Sequence, residues 1–493
     1  MAKYILSIDL GTTGNRVFIF NDKGTPVTSS YAEFKQYFPK PGYVEHDAME
    51  ILDSVKNLVK DVLLKTSDVD KKDISCIGIT NQRETTLLWD KKNGNPVYNA
   101  IVWQCRRTSP YCESLIADGH QDMIRAKTGL VIDAYFSATK IKWLFDNVEQ
   151  VKDTAKRGDL LFGTIDSWIL WNLTGGISHK TDYTNASRTM IYNIHELKWD
   201  TELLSLFDIP STILPEVHPS SSNFGKTKNF GVLPDGIPVT GIAGDQQAAL
   251  AGQNCVNTGS IKNTYGTRCF ILQNTGAMPV ASRHGLITTL AADDQGQLAY
   301  ALEGSVFIGG AVVQWLRDYM HFFDNASQSS KMCENLNDDN LVFVPAFTGL
   351  GAPHWNMDAR GAIFGITRDT TREQIVRAAL KSIAFQSYDA IVAMKNDSGK
   401  EFTTLRVDGG ATANDYLMQF QADILRHPVH LPMITESTAL GAAYLAGVGA
   451  GIYKKVSEIA VNNTITRSFE PVMSSDQAES EITAWNKAVK RIL

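Results

Sequence analysis

The 493-residue chain lacks the features of several protein classes. Its net charge of −6 leaves no excess of lysine and arginine for binding nucleic acid or an anionic membrane. The first apolar run is too short and too quickly acidic for a signal peptide, and the most apolar late segment, 439–453, falls short of the ~20 residues of a membrane span. The six cysteines form no C-x-x-C pair, which favours reduced, buried thiols in a cytoplasmic protein.

Two common phosphate-binding motifs are also missing. The chain has no G-x-G-x-x-G, and Gly225-Lys226-Thr227 ends like a P-loop, but Ser220 stands where the leading glycine belongs. The composition, with 43% hydrophobic and 20% charged residues, is that of a soluble globular protein, and the length suffices for two or three domains. Any nucleotide site must therefore use another loop architecture.

The sequence is organised around the stretch from Gly241 to Gly252, which is G-I-A-G-D-Q-Q-A-A-L-A-G. A predicted strand at 237–242 leads to a turn at Gly244, and an alanine-rich helix follows. Asp245 thus stands on a tight strand-to-helix turn, where backbone N–H groups hold functional groups and approach anions closely. This pattern is typical of either a functional carboxylate or an ordinary helix N-cap.

A hairpin with a Gly/Thr tip is predicted near the start of the chain, with strands at 4–10 and 17–20 and a polar turn at 11–15. Hydroxyls and N–H groups in such a turn can cradle phosphate. Asp9 is suited to hold Mg²⁺ through water, and Arg16 is a cation for phosphate oxygens. The alternative is a plain glycine-turn hairpin with a solvated aspartate.

A second copy of this hairpin follows the central turn. A strand is predicted at 260–265, then Gly266-Thr267, then a strand at 269–272. The copies lie ~250 residues apart, which indicates duplicated domains rather than a solenoid with its shorter repeats. Strands such as 74–79 alternate with helices such as 375–393, which is typical of α/β domains with mixed sheets. We expect the domain boundary near 245–258.

A charged pair and two aromatic residues suggest a polyol site. Arg83 and Glu84 follow the predicted strand at 74–79, where α/β sheets bind ligands, and Trp103 and Tyr135 lie further along the chain. A guanidinium fork donates to two oxygens, a carboxylate accepts hydroxyl protons, and aromatic faces cover a carbon edge. The alternatives are a surface ion pair and ordinary core packing.

The late run 405–415, L-R-V-D-G-G-A-T-A-N-D, predicts a strand, a glycine turn and a helix. Asp408, Gly409 and Gly410 would let a flat ligand approach the backbone, and Asn414 would bond a purine edge or a ribose. The alternative is a strand-to-helix turn in which Asn414 is only the N-cap.

Together these runs resemble the FGGY family of carbohydrate kinases, over about residues 4–490. The first family signature is matched at 135–147 by Y-F-S-A-T-K-I-K-W-L-F-D-N. The second is matched at 361–380 by G-A-I-F-G-I and Q-I-V-R-A-A-L, with Lys381 where an acid or amide is usual. Further matching runs lie at 39–47, 78–86, 100–108, 181–190, 241–250 and 345–353. These runs are most similar to family members that act on glycerol.

The resemblance implies an α/β fold of two duplicated RNase H-like domains, as in the actin, Hsp70 and sugar-kinase superfamily, with a cleft between them. Residues 1–250 would carry the polyol site and the first phosphate loop, and residues 251–493 the second phosphate loop and the adenosine site. The implied activity is ATP-dependent, Mg²⁺-assisted phosphorylation of glycerol to sn-glycerol 3-phosphate, the first step of glycerol utilisation. A cytoplasmic homodimer or homotetramer is expected, with no nucleic acid partner and no membrane insertion.

The resemblance also assigns roles to single residues, with Asp245 as the general base. Glycerol would be held by Arg83, Glu84, Trp103, Tyr135, Asp245, Gln246 and Phe270. ATP would be held by Thr12, Thr13, Gly14, Arg16, Gly266, Thr267, Gly310, Gln314, Gly410, Ala411 and Asn414. Mg²⁺ would be held by Asp9 through water, and indirectly by Asp245.

Besides Lys381, three residues depart from the family pattern. Leu10 and Gly14 stand where Gln and Ser are usual, so we expect an amide and a hydroxyl to be missing near the phosphates. Arg268 stands where Gly is usual, so it is either strained at positive φ or adds a cation at the nucleotide end. These departures bear on nucleotide affinity rather than on the reaction. Because 219–240 contains no histidine, no phosphohistidine switch is expected there.

Two other functions compete with a glycerol-directed kinase. One is another FGGY kinase for a pentulose, which the joint occurrence of Arg83, Glu84, Trp103 and Phe270 disfavours. The other is a nucleotide switch like actin or Hsp70, or a catalytically weakened relative, which the intact Asp245 disfavours.

Overall fold

Strands alternate with helices along the whole chain. The computed structural model describes residues 3–66, 69–334, 336, 340–459 and 464–493. Strands of the N-terminal half are β1 (Tyr4–Leu10), β2 (Gly14–Asn21), β3 (Pro26–Glu33), β4 (Glu45–His46), β5 (Ile74–Asn81), β6 (Leu87–Asp90), β7 (Ala100–Ile101), β8 (Leu160–Gly163), β9 (Lys180–Asp182), β10 (Tyr192–Asn193), β11 (Lys198–Trp199), β12 (Glu216–His218), β13 (Ser221–Lys226) and β14 (Pro238–Gly244). Its helices are α1 (Ala48–Lys65), α2 (Ser109–Ala117), α3 (Gln121–Thr128), α4 (Ser137–Asn147), α5 (Glu149–Lys156), α6 (Ile165–Leu173), α7 (Tyr183–Ala186), α8 (Thr201–Leu206) and α9 (Asp245–Gly252).

The C-terminal half continues the alternation. Its strands are β15 (Ile261–Tyr265), β16 (Cys269–Gly276), β17 (Ile287–Ala292), β18 (Leu298–Val306), β19 (Val342–Val344), β20 (Ala362–Phe364), β21 (Leu405–Asp408), β22 (Val429–Pro432) and β23 (Ile465–Phe469). Its helices are α10 (Ala311–Asp318), α11 (Gln328–Met332), α12 (Arg372–Ser398), α13 (Asp415–Leu425), α14 (Ser437–Gly449) and α15 (Ser475–Val489).

The two large sheets repeat one topology. The first has the order β13-β14-β5-β1-β2-β3, and the second has the order β17-β18-β16-β15-β21-β22-β23. In each, a hairpin (β1–β2 or β15–β16) pairs antiparallel with a third strand, while its first strand pairs parallel with a strand from later in the chain. A further parallel strand (β14 or β22) and an antiparallel edge strand (β13 or β23) follow on that side. The predicted duplication of α/β domains is therefore confirmed.

The central strands form because their side chains are buried on both faces. In β1, Leu6, Ile8 and Leu10 lie in the core of the N-terminal sheet, while Ile5 on the other face packs beneath α14. Near-continuous apolar runs of this kind are what parallel strands covered by helices require. The predicted polar turn at 11–15 is shorter than expected, because Gly14 and Asn15 already pair with β3.

Helix α14 belongs to the C-terminal half but covers the N-terminal sheet. It packs against β1, β5 and β14, and Tyr444 and Ala446 join Ile5 and Phe20 in one apolar cluster. The strands of the two sheets come from separate halves of the chain, yet the halves share this helix. The domain bounds 1–250 and 251–493 stay a prediction.

The structure also bears on two expectations from composition, which concern the cysteines and a membrane-spanning helix. All six cysteines are buried and unpaired, as predicted. Among the described residues, no helix is long and apolar enough to cross a membrane.

Candidate active site

Asp245 is the first residue of α9 and stands directly after β14, which lies beside the edge strand β13. The N-cap position is Gly244, so the interpretation of Asp245 as an ordinary N-cap is wrong. Gly244 is needed because a Cβ there would lie 2.6 Å from Arg83 Cγ. The Asp245 side chain is 33% exposed, and its Oδ1 lies 3.1 Å from Arg83 Nε. A carboxylate that solvent and substrate can reach thus stands beside a fixed guanidinium.

Arg83 and Glu84 are buried, so the surface ion-pair interpretation is wrong. Arg83 Nη1 donates to Glu303 Oε2 at 2.6 Å and to Gln247 Oε1 at 3.2 Å, and Nη2 donates to Glu303 Oε1 at 3.3 Å. Most N–H groups of Arg83 therefore donate to acceptors within the protein. This corrects the expectation that the guanidinium donates to two substrate oxygens at once. With Nε facing Asp245, one Nη2 hydrogen remains without a partner among the described residues.

Two members of this charge network were missed by the sequence analysis. Arg188 donates to Glu84 Oε1 at 2.5 Å and to Glu303 Oε1 at 3.1 Å, and both of its partners are buried. Burial alone would raise the pKa of Glu303, but attraction by Arg188 and Arg83 outweighs it and lowers this pKa to about 2. An acid inside the largely apolar strand L-A-Y-A-L-E-G-S-V is the sequence signal that could have identified Glu303.

Glu84 has a left-handed backbone, with φ of 61°. This conformation costs free energy for a residue with a Cβ and persists where surrounding contacts enforce it. The Glu84 carbonyl accepts hydrogen bonds from Thr86 Oγ1 at 3.0 Å and Ser137 Oγ at 3.1 Å. Burial, the largest influence, raises the pKa of its carboxyl despite Arg188 and Arg83. The fold thus holds this carboxylate in one strained orientation.

Trp103 and Tyr135 form one aromatic wall, with ring centroids 5.3 Å apart in an edge-to-face arrangement. Trp103 Nε1 donates to Thr12 Oγ1 at 2.9 Å, so this wall adjoins the first phosphate loop. Arg268 Cζ lies 5.2 Å from the Trp103 centroid and 5.6 Å from that of Phe307. Its φ is not positive, so the strain expected at this position is absent. Arg268 joins the second loop to the aromatic wall.

Asp9 is a partly buried acid near the end of β1, just before the first hairpin loop. Burial is the main cause that raises the pKa of Asp9 to about 7, the Asp245 carboxylate adds to it, and Arg16 opposes it. Arg16 pairs with Glu436, next to the start of α14, and stacks 5.0 Å from the Tyr31 ring. The cation proposed for phosphate therefore has a partner in the protein before any ligand binds.

The expected effects of Leu10 and Gly14 on the phosphates need correction. Leu10 is fully buried in the apolar core, so its side chain does not face the loop. A Cβ at Gly14 would lie 2.6 Å from the Ala32 carbonyl oxygen and 2.8 Å from Tyr31. Both departures from the family pattern therefore serve packing, with Gly14 admitting the close approach of β3.

The second loop is fixed to the segments predicted to hold adenosine. Gly310 N–H donates to the Gly266 carbonyl at 2.8 Å at the start of α10, which carries the exposed Gln314. Gly409, at φ 91°, lies against Tyr265, where a Cβ would come 2.5 Å from its carbonyl oxygen. Gly410 and Ala411 follow it in a single 3₁₀ turn. These segments therefore lie against the second loop, and their role toward adenosine stays a prediction.

Asn414 is a helix N-cap in this structure, which was the alternative interpretation. Its Oδ1 accepts from Leu417 N–H at 3.0 Å, and its Nδ2 donates to Ser329 Oγ at 3.0 Å. Both ends of the amide thus have protein partners. Its role toward adenosine stays a prediction.

Gln246 and Phe270 meet at a buried lysine that the sequence analysis also missed. Lys262 Nζ donates to Gln246 Oε1 at 2.6 Å and lies 3.4 Å from the Phe270 carbonyl oxygen. Gln246 Nε2 in turn donates to Asp245 Oδ2 at 3.3 Å. The general-base candidate is thus joined to the second hairpin through one amide.

A Mg²⁺ ion would find few protein ligands here. Among the described residues, no group of three or more His, Cys, Asp or Glu side chains is placed to hold a metal ion. Asp9 and Asp245 are close enough to interact electrostatically. One or two carboxylates together with water and nucleotide phosphates are the usual ligands of Mg²⁺, so these residues fit the ion.

Comparison with known proteins agrees with this geometry. The sequence model of the FGGY family of carbohydrate kinases matches residues 4–252 for its N-terminal domain and 261–450 for its C-terminal domain. Glycerol kinase of Caldanaerobacter subterraneus subsp. tengcongensis and glycerol kinase 2 of Thermotoga maritima are each 54% identical to this chain, over 100% of it and 99% of their own length. The crystal structure of Plasmodium falciparum glycerol kinase with ADP is 40% identical, with a TM-score of 0.94, covering 100% of this chain and 98% of that one. The chain belongs to the FGGY family of carbohydrate kinases.

Proposed function

We propose that this protein transfers the γ-phosphoryl group of ATP to a terminal hydroxyl of glycerol, giving sn-glycerol 3-phosphate. The observation that carries the proposal is the partly exposed Asp245 carboxylate, which stands beside Arg83 and is linked through Gln246 to the second hairpin. Full-length similarity to glycerol kinases supports glycerol as the acceptor. The ADP in the related structure supports an adenine nucleotide as the donor.

Phosphoryl transfer needs positioning and charge stabilisation more than covalent catalysis. Asp245 accepts the proton of the attacking hydroxyl as its oxygen approaches the γ-phosphorus. Glu84 accepts a hydrogen bond from another glycerol hydroxyl, and the remaining Nη2 hydrogen of Arg83 donates to an oxygen. Trp103, Tyr135 and Phe270 cover the carbon edge.

The nucleotide lies between the two hairpin loops in this proposal. N–H and hydroxyl groups around Thr12, Thr13 and Thr267 bind the phosphates, and the segments around Gly310 and Gly410 receive the adenosine. When bound, Mg²⁺ supplies charge neutralisation at the phosphates, and Asp9 would hold it through water. The pairing of Arg16 with Glu436 implies that Arg16 exchanges this partner when it contacts phosphate.

The proposal also includes the cellular compartment and the oligomeric state of the protein. Six unpaired, buried thiols support a reducing compartment, which is the cytoplasm. A homodimer or homotetramer stays a prediction of the resemblance.

The test is ADP release from Mg-ATP with and without glycerol, with sorbitol, xylulose and ribulose as parallel acceptors. We expect strong stimulation by glycerol alone, because a site that pairs each hydroxyl rejects acceptors that leave a buried group unmatched. Stimulation by a pentulose instead would assign the protein to another FGGY activity. ATP binding without acceptor-dependent turnover would identify a nucleotide switch and overturn the proposal.

A further inference from the structure

Lys262 is a fully buried lysine of β15 in the C-terminal half. Its ammonium donates to Gln246 Oε1 at 2.6 Å, to Thr264 Oγ1 at 2.8 Å and to the Phe270 carbonyl at 3.4 Å. A lysine is almost never fully buried unless its charge is paired and its hydrogen bonds are made. Here three donors and three acceptors match, and two of those acceptors belong to residues predicted to contact glycerol.

The chemistry of the ammonium group fixes the orientation of the Gln246 amide. A lysine ammonium has three donors and no acceptor, so it can bond only to the amide oxygen. The amide NH₂ must then point the other way, and Nε2 lies 3.3 Å from Asp245 Oδ2. Without the lysine, the amide oxygen would lose its charged donor, and only the contact with the Asp245 carboxylate would hold the amide in this orientation.

The charges around Lys262 keep it protonated despite its burial. Burial lowers the pKa of Lys262 to about 8, while Asp408, Asp245 and Glu303 act against this shift and Arg83 adds to it. Two of these acids, Asp245 and Glu303, also contact Arg83. Lys262 is therefore part of the charge balance of the site, although it belongs to the second hairpin.

We propose that Lys262 is a positioning residue, which holds the Gln246 amide with its NH₂ group toward Asp245 and the glycerol hydroxyls. The proposal rests on the proposed function, because glycerol is the ligand whose hydroxyl the amide orders. Lys262 touches neither substrate nor reacting atoms and acts through Gln246. It also links the second hairpin to the base on α9, so the two halves are coupled at the acceptor.

The test is a double-mutant cycle between Lys262→Met and Gln246→Ala, read as kcat/KM for glycerol and as KM for Mg-ATP. In the otherwise unchanged protein, Lys262→Met should lower kcat/KM for glycerol roughly 10- to 100-fold, the loss of a charge-assisted hydrogen bond, with KM for Mg-ATP within about twofold. In the Gln246→Ala background the same substitution should lower kcat/KM for glycerol by less than about threefold, because substitutions at residues that act as a unit do not have additive effects.

Lys140→Met is the matched control. Lys140 is also fully buried, with its pKa lowered to about 8 mainly by burial, but it donates to the carbonyls of Ala134, Tyr135 and Phe136. Lys140→Met should change kcat/KM for glycerol by the same factor in the unmodified protein and in the Gln246→Ala background, because Lys140 does not contact the Gln246 amide. If Lys140→Met and Gln246→Ala have additive effects, the non-additivity of Lys262→Met comes from its contact with Gln246 and not from the loss of a buried charge in general.

Equal losses from Lys262→Met in both backgrounds would overturn the proposal, as would no loss at all. Should Lys262→Met fail to fold, Lys262→Gln replaces it in the cycle. It keeps a donor but lacks the charge that excludes the other amide orientation, so the same non-additivity is expected. Failure of the proposed function would show separately, because the unmodified protein would then not phosphorylate glycerol.

Discussion

At the scale of single residues, the charged groups of this site are held by one another rather than by solvent. Arg83 and Arg188 each bond to Glu303, which comes from the other half of the chain. An isolated buried charge is very costly, so each member of such a network depends on its partners. Within the network of Arg83, Glu84, Arg188, Glu303 and Asp245, the Asp245 side chain is 33% exposed and the others are buried, so Asp245 is the member best placed to exchange a proton with a substrate.

The first prediction concerns Asp245. Asp245→Asn keeps the size of the side chain and one acceptor oxygen, but it removes the negative charge and the basic oxygen. We expect kcat to fall about 10²–10⁴-fold, the usual contribution of a general base, with ADP affinity and thermal stability little changed. Steady-state kinetics with glycerol and calorimetric titration with Mg-ADP measure these quantities. A variant with near-full turnover would show that Asp245 is not the base.

The second prediction concerns Glu303 and pH. Glu303→Gln leaves two buried guanidinium groups short of one negative charge, so we expect the free energy of unfolding at neutral pH to fall by about 3–5 kcal/mol. Because the pKa of Glu303 is lowered to about 2, its stabilisation is complete above its ordinary value near 4.5 and is lost as the pH falls from there toward 2.

The difference in stability between the unmodified protein and Glu303→Gln should therefore shrink between about pH 5 and about pH 3. Urea unfolding followed by tryptophan fluorescence measures it at each pH. Glu479→Gln, which removes an exposed acid on α15, is the control and should show little difference at any pH. A difference that stays constant with pH would contradict the lowered pKa.

At the scale of elements, glycines set how closely α9 and α14 cross. A Cβ at Gly441 would lie 1.8 Å from the Ala248 carbonyl oxygen, and a Cβ at Gly252 would lie 2.0 Å from the Ser437 carbonyl oxygen. No side chain fits at such distances, so the two backbones are in direct contact. Asp245 begins one of these helices, and the crossing therefore fixes where the carboxylate stands relative to both halves.

Gly441→Ala provides the third prediction. In a helix this change ordinarily stabilises, because alanine has the higher helix propensity. Here the new methyl group must push the helices apart, so we expect a loss of about 1–3 kcal/mol or more in the free energy of unfolding. Urea denaturation measures the loss. Gly410→Ala, the same change where no atom lies within 4 Å, should leave stability nearly unchanged; an equal effect of both would refute the contact argument.

At the scale of the whole molecule, the two halves are joined by contacts of α14 with the N-terminal sheet. The carbonyl of Ala439 accepts from Ser7 Oγ at 2.7 Å, and that of Ala446 accepts from Thr240 Oγ1 at 2.8 Å. Together with the apolar cluster around Tyr444, these bonds make α14 a structural part of the N-terminal sheet. Loss of this helix exposes one apolar face of the sheet to water.

The fourth prediction follows from this arrangement. A fragment of residues 1–256 should aggregate or bind the hydrophobic dye ANS strongly, because its sheet lacks the cover of α14. Co-expression with residues 257–493 should restore a soluble complex that unfolds cooperatively. Size-exclusion chromatography and dye binding distinguish these states. A 1–256 fragment that is monodisperse and does not bind ANS would show that the N-terminal domain folds alone.

The sequence by itself determined the parts of this protein that depend on local pattern. The apolar runs of β1 and β15, the Gly/Thr turns that follow them and the glycine before Asp245 each follow from residues that are neighbours in the chain, so the duplicated α/β fold and the position of Asp245 at a strand-to-helix turn could be predicted. The motif runs at 135–147 and 361–380 supported the family in the same way.

The tertiary structure alone decided which groups surround Asp245. Glu303 is 220 positions from Arg83, and the burial of Leu10, the stacking of Arg268 on Trp103 and the capping role of Asn414 all depend on which surfaces meet after folding. Lys262 reads in the sequence as an ordinary lysine of a strand, yet it reaches the Gln246 amide because two halves of the chain close around it. Charge and burial act through space, and a contact between residues far apart in sequence leaves no local pattern by which to recognise it.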